Sequence, residues 1–236
     1  MSRAALLQRA LTFVPSHGFT RSALTLSSVD GQPLSDTAVT ALFGRGDEAE
    51  RTLFRAWLEE GKKDMREGLS ESGNSTVVAQ GNGDKEKLYA LLARRLRWNE
   101  PVLDYLPDAF ALLSSPSLDP PFSLPLPLSI TLPRLRLIPG LAHVSAVADE
   151  ACWLLSEPND PPGAGKYYAQ RARIGTIYAL SELHQLSSPS PSSRTDHFLR
   201  DMLNFTGTLP QVAGEVGTFL KFVGRSWAGI LRSRGM

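Results

Sequence analysis

The chain has 236 residues, 42% of them hydrophobic, with a formal net charge of +1 and a mean hydropathy of −0.14. That length can bury a substantial core. The near-neutral balance gives the chain as a whole no electrostatic pull toward nucleic acid, and no uninterrupted apolar run approaches the roughly 18 residues of a bilayer span.

Ala5, Leu6, Ala10, Leu11, Phe13 and Val14 form an apolar stripe that predicts a helix over residues 3–16. Arg3, Arg9 and Arg21 all precede the first acid, Asp30, a composition shared with mitochondrial transit peptides. The stripe, closed by Pro15 and Gly18, favours the first helix of the fold. Thr20 then caps a short helix from Arg21 to Val29, and Ser35 caps a third over Asp36 to Phe43, where Asp36 meets the positive end of the helix dipole. Gly44 and Gly46 end it. A longer amphipathic helix over residues 47–69 puts Leu53, Phe54, Trp57 and Leu58 on one face.

Residues 70–83 are rich in Ser, Gly and Asn and read as a loop. The run Gly81 to Lys85 has neither the spacing of a phosphate loop nor a strand before it. Lys85 to Trp98 is helical, with Leu88, Leu91, Leu92 and Leu96 apolar and Arg94, Arg95 and Arg97 near its end, and Leu103 to Leu113 is a short helix. Residues 114–140 hold Pro116, Pro120, Pro121, Pro125, Pro127, Pro133 and Pro139; this density excludes helix and predicts an extended, apolar linker. Leu141 to Ser156 is helical and carries Cys152 and Trp153.

Lys166 to Leu186 contains no Pro and a single Gly, Gly175. Its ends read as polar, with Lys166, Arg171 and Arg173 at one and Glu182 and His184 at the other, while Ile174 to Leu180 is apolar on nearly every face. Such a helix must be covered on all sides, which makes it the centre of an all-α core. Tyr167, Tyr168 and Arg171 lie within about one turn at its entrance, a combination suited to a partner surface. Asp196 to Asn204 adds a further helix. No segment alternates regularly enough to predict a sheet.

From Leu209 to Leu231 apolar residues recur at three- and four-residue steps: Phe219, Leu220, Val223, Trp227, Ile230 and Leu231 among them. Lys221, Arg225 and Arg232 stand opposite. A basic amphipathic helix with aromatics in its stripe reads as a membrane-surface helix; a docking helix of the bundle shares the same pattern.

The chemistry-bearing residues are sparse. His17, His143, His184 and His197 have no partner at metal-ligand helical spacing, and Glu182–His184 is one residue short of a di-iron pair. No nucleophile elbow or dinucleotide fingerprint occurs. Cys152 is the single cysteine, so no internal disulfide forms; in an apolar helix beside Trp153 it reads as a buried, inert thiol. Neither catalysis, metal nor cofactor is expected. Residues 3–46 look like the three-helix start of a TetR-type regulator, but Gly31 to Phe43 lacks Lys and Arg and contains Asp36, so the charge for phosphate contact is missing.

Three segments carry a family resemblance: Ala10 to Thr20 with Leu42 to Gly46; Arg95 to Pro101 with Asp108 to Leu113; and Tyr167 to Ala172 with Ile177, Tyr178, Glu182, Leu183, Phe198 and Leu199. Together they resemble the mitochondrial ubiquinone-biosynthesis lipid-binding proteins, the Coq-nine family. The resemblance implies a TetR-like helical bundle that has lost DNA binding, an apolar cavity for isoprenoid lipid, and a C-terminal helix on the matrix face of the inner membrane. It also implies a partner, the demethoxyubiquinone hydroxylase (Coq-seven), contacted here through Tyr167, Tyr168 and Arg171. Tyr167 stands where the family usually has Trp, and the run from Phe122 to Pro139 is longer than the family shows.

On this reading residues 1–46 are a degenerate helix-turn-helix-like part, 47–208 a lipid-binding bundle and 209–236 the membrane-contact helix. Ile174, Ile177, Tyr178 and Leu183 would line or support the lipid site. Phe219, Leu220, Lys221, Val223, Arg225, Trp227, Ile230 and Leu231 would meet the membrane, and a homo-oligomer is a further expected state. The competing expectation is a TetR-like transcriptional regulator with a small-ligand cavity.

Overall fold

The computed structural model describes residues 2–28, 31–72, 83–114, 139–155, 164–187 and 192–207. Among these residues all regular structure is helical, as expected of an all-α chain: α1 (Arg3–Leu11), α2 (Val14–His17), α3 (Arg21–Thr25), α4 (Asp36–Phe43), α5 (Glu48–Ser72), α6 (Gly83–Asn99), α7 (Leu106–Ser114), α8 (Pro139–Leu155), α9 (Ala164–Ser187) and α10 (Ser192–Gly207), with a 3-10 turn at Glu100–Val102.

The differences from expectation have local causes. The single helix over residues 3–16 is two helices. Pro15 has no N–H to give the carbonyl of Leu11 and its ring would crowd that carbonyl, so the chain breaks at Thr12 and restarts with Pro15 in the first turn of α2. The second helix stops at Thr25 rather than at Val29, and the carbonyl of Thr25 instead accepts from the Leu34 N–H at 2.8 Å. α5 extends to Ser72, α7 begins at Leu106 after the 3-10 turn, and α10 begins at Ser192. Ser35 caps α4 as anticipated, its Oγ accepting from the Ala38 N–H at 3.2 Å. The expected Pro-rich linker, most of the 70–83 loop and the helix from Leu209 lie outside the described residues.

The described residues form two compact units. One comprises residues up to Ala56 with Asp108 to Ala142; the other comprises Trp57 to Pro107 and the residues from His143 onward. In the first, Phe54 sits between Phe19 and Phe110, with ring centroids 4.8 and 5.1 Å away and both contacts edge-on. Arg51, nearly buried, donates to the Leu112 carbonyl at 2.8 Å and satisfies a carbonyl in the last turn of α7. Arg21 ties α3 to α4: its guanidinium meets Asp36 at 2.7 and 2.9 Å, Thr40 Oγ1 at 2.7 Å and the Gly46 carbonyl at 3.2 Å.

In the second unit α9 packs against α6 and α10. It also lies close to α8, because a side chain at Gly175 would come within 3.4 Å of Val144 and 3.5 Å of Ala148. Ile174, Ile177, Tyr178, Ala179, Ser181, Glu182, Leu183 and Gln185 are all buried, so the helix is enclosed as its apolar middle requires. Glu182 corrects the sequence reading: it is a fully buried residue, not a polar end.

Candidate functional site

Two groupings in the second unit involve the residues singled out above. The first is at the entrance of α9. Ser145 and Asp149 stand one turn apart on α8; Tyr167 and Arg171 stand one turn apart on α9. Tyr167 Oη donates to Asp149 Oδ1 at 2.9 Å, Arg171 Nε approaches the same oxygen at 2.6 Å, and Arg171 Nη2 donates to Ser145 Oγ. Tyr167 and Arg171 are thus tied to α8, and the bond to Asp149 raises the Tyr167 hydroxyl pKa above its ordinary value. Tyr168, one residue on and about 100° around the helix, is 63% exposed, with its ring edge-on to Tyr167 at 5.5 Å. Trp153, one turn beyond Asp149 on α8, is 72% exposed. Beside it Cys152 is buried and its thiol is pushed up to about 11, chiefly by burial and then by the Asp149 charge. The burial expected of this thiol from the sequence is found.

The second grouping is interior and joins three helices. Glu182 Oε1 accepts from Tyr178 Oη at 2.8 Å and from Asn99 Nδ2 at 3.0 Å. His143 Nε2 lies 3.3 Å from that oxygen and 3.2 Å from Tyr178 Oη. Arg95 Nη1 donates to Asn99 Oδ1 at 2.8 Å, and Gln185 Nε2 donates to the Leu96 carbonyl at 3.0 Å. Arg95 and Glu182 are fully buried, so a positive and a negative group balance each other through Asn99. Burial pushes the Glu182 carboxyl up, but His143, Arg95 and the Tyr178 hydrogen bond together outweigh it and hold the group below its ordinary value. Burial lowers His143, helped by the positive charges of Arg95 and Lys62 and opposed by Glu182. Tyr178 is raised well above the ordinary phenol value, first by burial. The centre is therefore a carboxylate served by neutral donors and a guanidinium.

The four residues proposed for lipid sit in or beside this interior. Ile174, Ile177 and Tyr178 are at most 1% exposed and Leu183 is 8% exposed. The residues assigned to membrane contact, from Phe219 to Leu231, lie outside the described residues.

Sequence reasoning missed the interior cluster. Its signals were present: Arg95 interrupts the apolar stripe of α6, Asn99 follows it by four, and Tyr178 precedes Glu182 by four. The partner His143 is 39 residues from Glu182 and has no signal of that kind. Among the described residues no group of three or more His, Cys, Asp or Glu is placed to hold a metal, and no helix is long and apolar enough to cross a membrane.

No protein-family model matches the chain. Two curated proteins do. The ubiquinone biosynthesis protein coq9, mitochondrial, of Schizosaccharomyces pombe is 26% identical over 237 aligned positions, covering 99% of this chain and 81% of that protein. The corresponding Drosophila melanogaster protein is 24% identical over 204 positions, covering 86% of this chain. The chain is similar to these two Coq9 proteins along most of its length. It spans about four-fifths of the yeast relative and 54% of the fly one. The segments that carried the resemblance include part of each grouping: Arg95 and Asn99 fall in the middle motif, and Tyr167, Arg171, Tyr178 and Glu182 in the third.

Proposed function

We propose that this chain is a Coq9-family protein, a non-enzymatic lipid-binding protein of ubiquinone biosynthesis, working in the mitochondrion at the matrix face of the inner membrane. It takes up isoprenoid quinone intermediates and presents them to the demethoxyubiquinone hydroxylase. The observation that carries the pathway is the match, along nearly the whole chain, to two proteins named for ubiquinone biosynthesis and as mitochondrial. A long polyprenyl tail leaves the bilayer only for another apolar environment, which the enclosed apolar middle of α9 offers at Ile174 and Ile177. Tyr168 and Trp153 form the outward aromatic part of the partner surface, with Tyr167 and Arg171 held against α8 beneath it. The basic, aromatic repeat from Leu209 to Leu231 supports membrane contact.

Native mass spectrometry of the purified chain tests the lipid reading: a co-purified or added isoprenoid quinone retained by the folded protein is expected, and a protein that retains none overturns it. Liposome co-sedimentation tests the membrane reading, since Phe219→Ser with Trp227→Ser should abolish binding at every ionic strength. A pull-down titration tests the partner reading, in which Tyr168→Ala should weaken hydroxylase binding at least ten-fold while the circular-dichroism melt is unchanged.

The transcription-regulator alternative is disfavoured by one contact. The Arg21 guanidinium at the start of α3 is committed to Asp36, Thr40 and Gly46, and α4 carries no Lys or Arg to take its place on phosphate. A specific duplex complex that survives physiological salt would restore the alternative.

A further inference from the structure

α8 contributes His143 to the interior grouping, and the neighbours of this imidazole fix how many protons it holds. The Tyr178 hydroxyl gives its proton to Glu182 Oε1. The two oxygens near His143 Nε2, Tyr178 Oη at 3.2 Å and Glu182 Oε1 at 3.3 Å, therefore offer it lone pairs, and Nε2 carries the hydrogen. A neutral imidazole meets that need, and a second proton at Nδ1 would make it a cation. The groups that face it are Glu182 and the Tyr178 hydroxyl on α9, Arg95 on α6 and Lys62 on α5. Glu182 is already matched by Arg95 through Asn99. An imidazolium would thus leave an unbalanced positive charge among buried groups. Burial, with the two other cations, accordingly favours the neutral ring.

α8 meets α9 at three levels. His143 reaches Tyr178 and Glu182 in the interior; Val144 and Ala148 face Gly175; Ser145 and Asp149 hold Arg171 and Tyr167 at the helix entrance. The entrance contacts are partly exposed and hold weakly, so the seat of α8 depends on the two inner levels. We propose that His143 is a proton-operated latch between α8 and α9: neutral, it keeps the stretch from His143 to Asp149 in place, and protonated, it releases that stretch together with its clasp on Tyr167 and Arg171. Release would withdraw the support of the surface assigned above to the partner, but it does not depend on that assignment. A released imidazole has the ordinary pKa of about 6.5, so about one in eleven is protonated at pH 7.5 and about ten in eleven at pH 5.5. The opening equilibrium should therefore grow about ten-fold between those values. The Glu182 carboxyl lies below its ordinary value and the Tyr178 phenol above its own, so neither changes charge in that window.

The test is hydrogen–deuterium exchange of the full chain, followed by mass spectrometry at pH 7.5 and pH 5.5 with exchange times scaled for the intrinsic rate. Peptides of α8 should lose protection about ten-fold at the lower pH, while those of α6 and α10 change by less than about two-fold. His143→Gln keeps a neutral N–H donor and should leave α8 equally protected at both values. Unchanged α8 protection in the wild-type chain overturns the latch. So does a loss shared equally by α6 and α10, which is global destabilisation, and so does a His143→Gln chain whose α8 still opens at pH 5.5. If the variant does not fold, the ring signals of His143 in the wild-type chain decide by NMR: α8 opening that tracks their titration is expected, and a ring that titrates while α8 stays protected overturns the latch.

Discussion

Removing the carboxylate of Glu182 should be among the most destabilising single changes in the second unit. Glu182→Ala leaves the fully buried Arg95 guanidinium without its balancing charge and takes from Tyr178 and Asn99 the oxygen to which both donate. Breaking a buried pair by deleting one partner costs about 3–5 kcal/mol. That is a large share of the roughly 5–15 kcal/mol by which domains are stable, and for a chain of this size it corresponds to a melting shift of roughly 6–20 °C. Urea titration followed by circular dichroism at 222 nm measures it. The double variant Arg95→Met/Glu182→Leu removes both charges and should recover at least about 2 kcal/mol of the summed single losses. The control is Arg66→Ala, which breaks an ion pair to Glu150 in which the arginine side chain is half exposed and should cost no more than about 1 kcal/mol. If Glu182→Ala is as mild as this control, the interior charges are solvated and the argument from burial fails.

Stability should fall with acid in two stages. His143 and Glu182 both have folded pKa values below their ordinary ones, so the unfolded chain binds the extra proton first; the His143 contribution is complete above about pH 6.5 and is lost below it, and the Glu182 contribution is lost below about pH 4.5. Urea midpoints measured from pH 8 to pH 4 should be flat at the top and decline from about 6.5, and His143→Gln should flatten the first decline. Gly61→Ala should destabilise by about 1–3 kcal/mol despite the better helix former, because the added Cβ would lie 2.8 Å from Trp98 Cδ1 and 3.1 Å from Arg95 Cζ; a raised melting temperature would show that Trp98 yields freely. Cys152 should resist thiol reagents at pH 8, where a thiol with a pKa of about 11 is thiolate in roughly one molecule in a thousand; labelling of the native chain at the rate of the urea-unfolded one would contradict its burial.

Much of the helical order was legible in the sequence because helices are specified over a few residues. Ser35 capping α4, Gly44 ending it, and the apolar spacing of α5 and α6 each depend on neighbours within about one turn. The misread boundary at Thr12 was local as well: Pro15 sat inside the apolar stripe, and its missing N–H outweighed the periodicity. The ordered set of resembling segments also pointed to the family after which the two similar proteins are named. What only the tertiary structure decided were the partners. Tyr167 and Tyr168 are the same residue type side by side, yet one is tied to Asp149 and the other faces outward, a distinction set by where α8 lies. Glu182 reads as a solvated helix end until His143 and Asn99, 39 and 83 residues away, enclose it with Tyr178. Periodicity shows which face of a helix is apolar. Whether a charge on that face is matched depends on groups far along the chain, because the Coulomb and hydrogen-bond energies that settle a buried ion arise from what surrounds it in space.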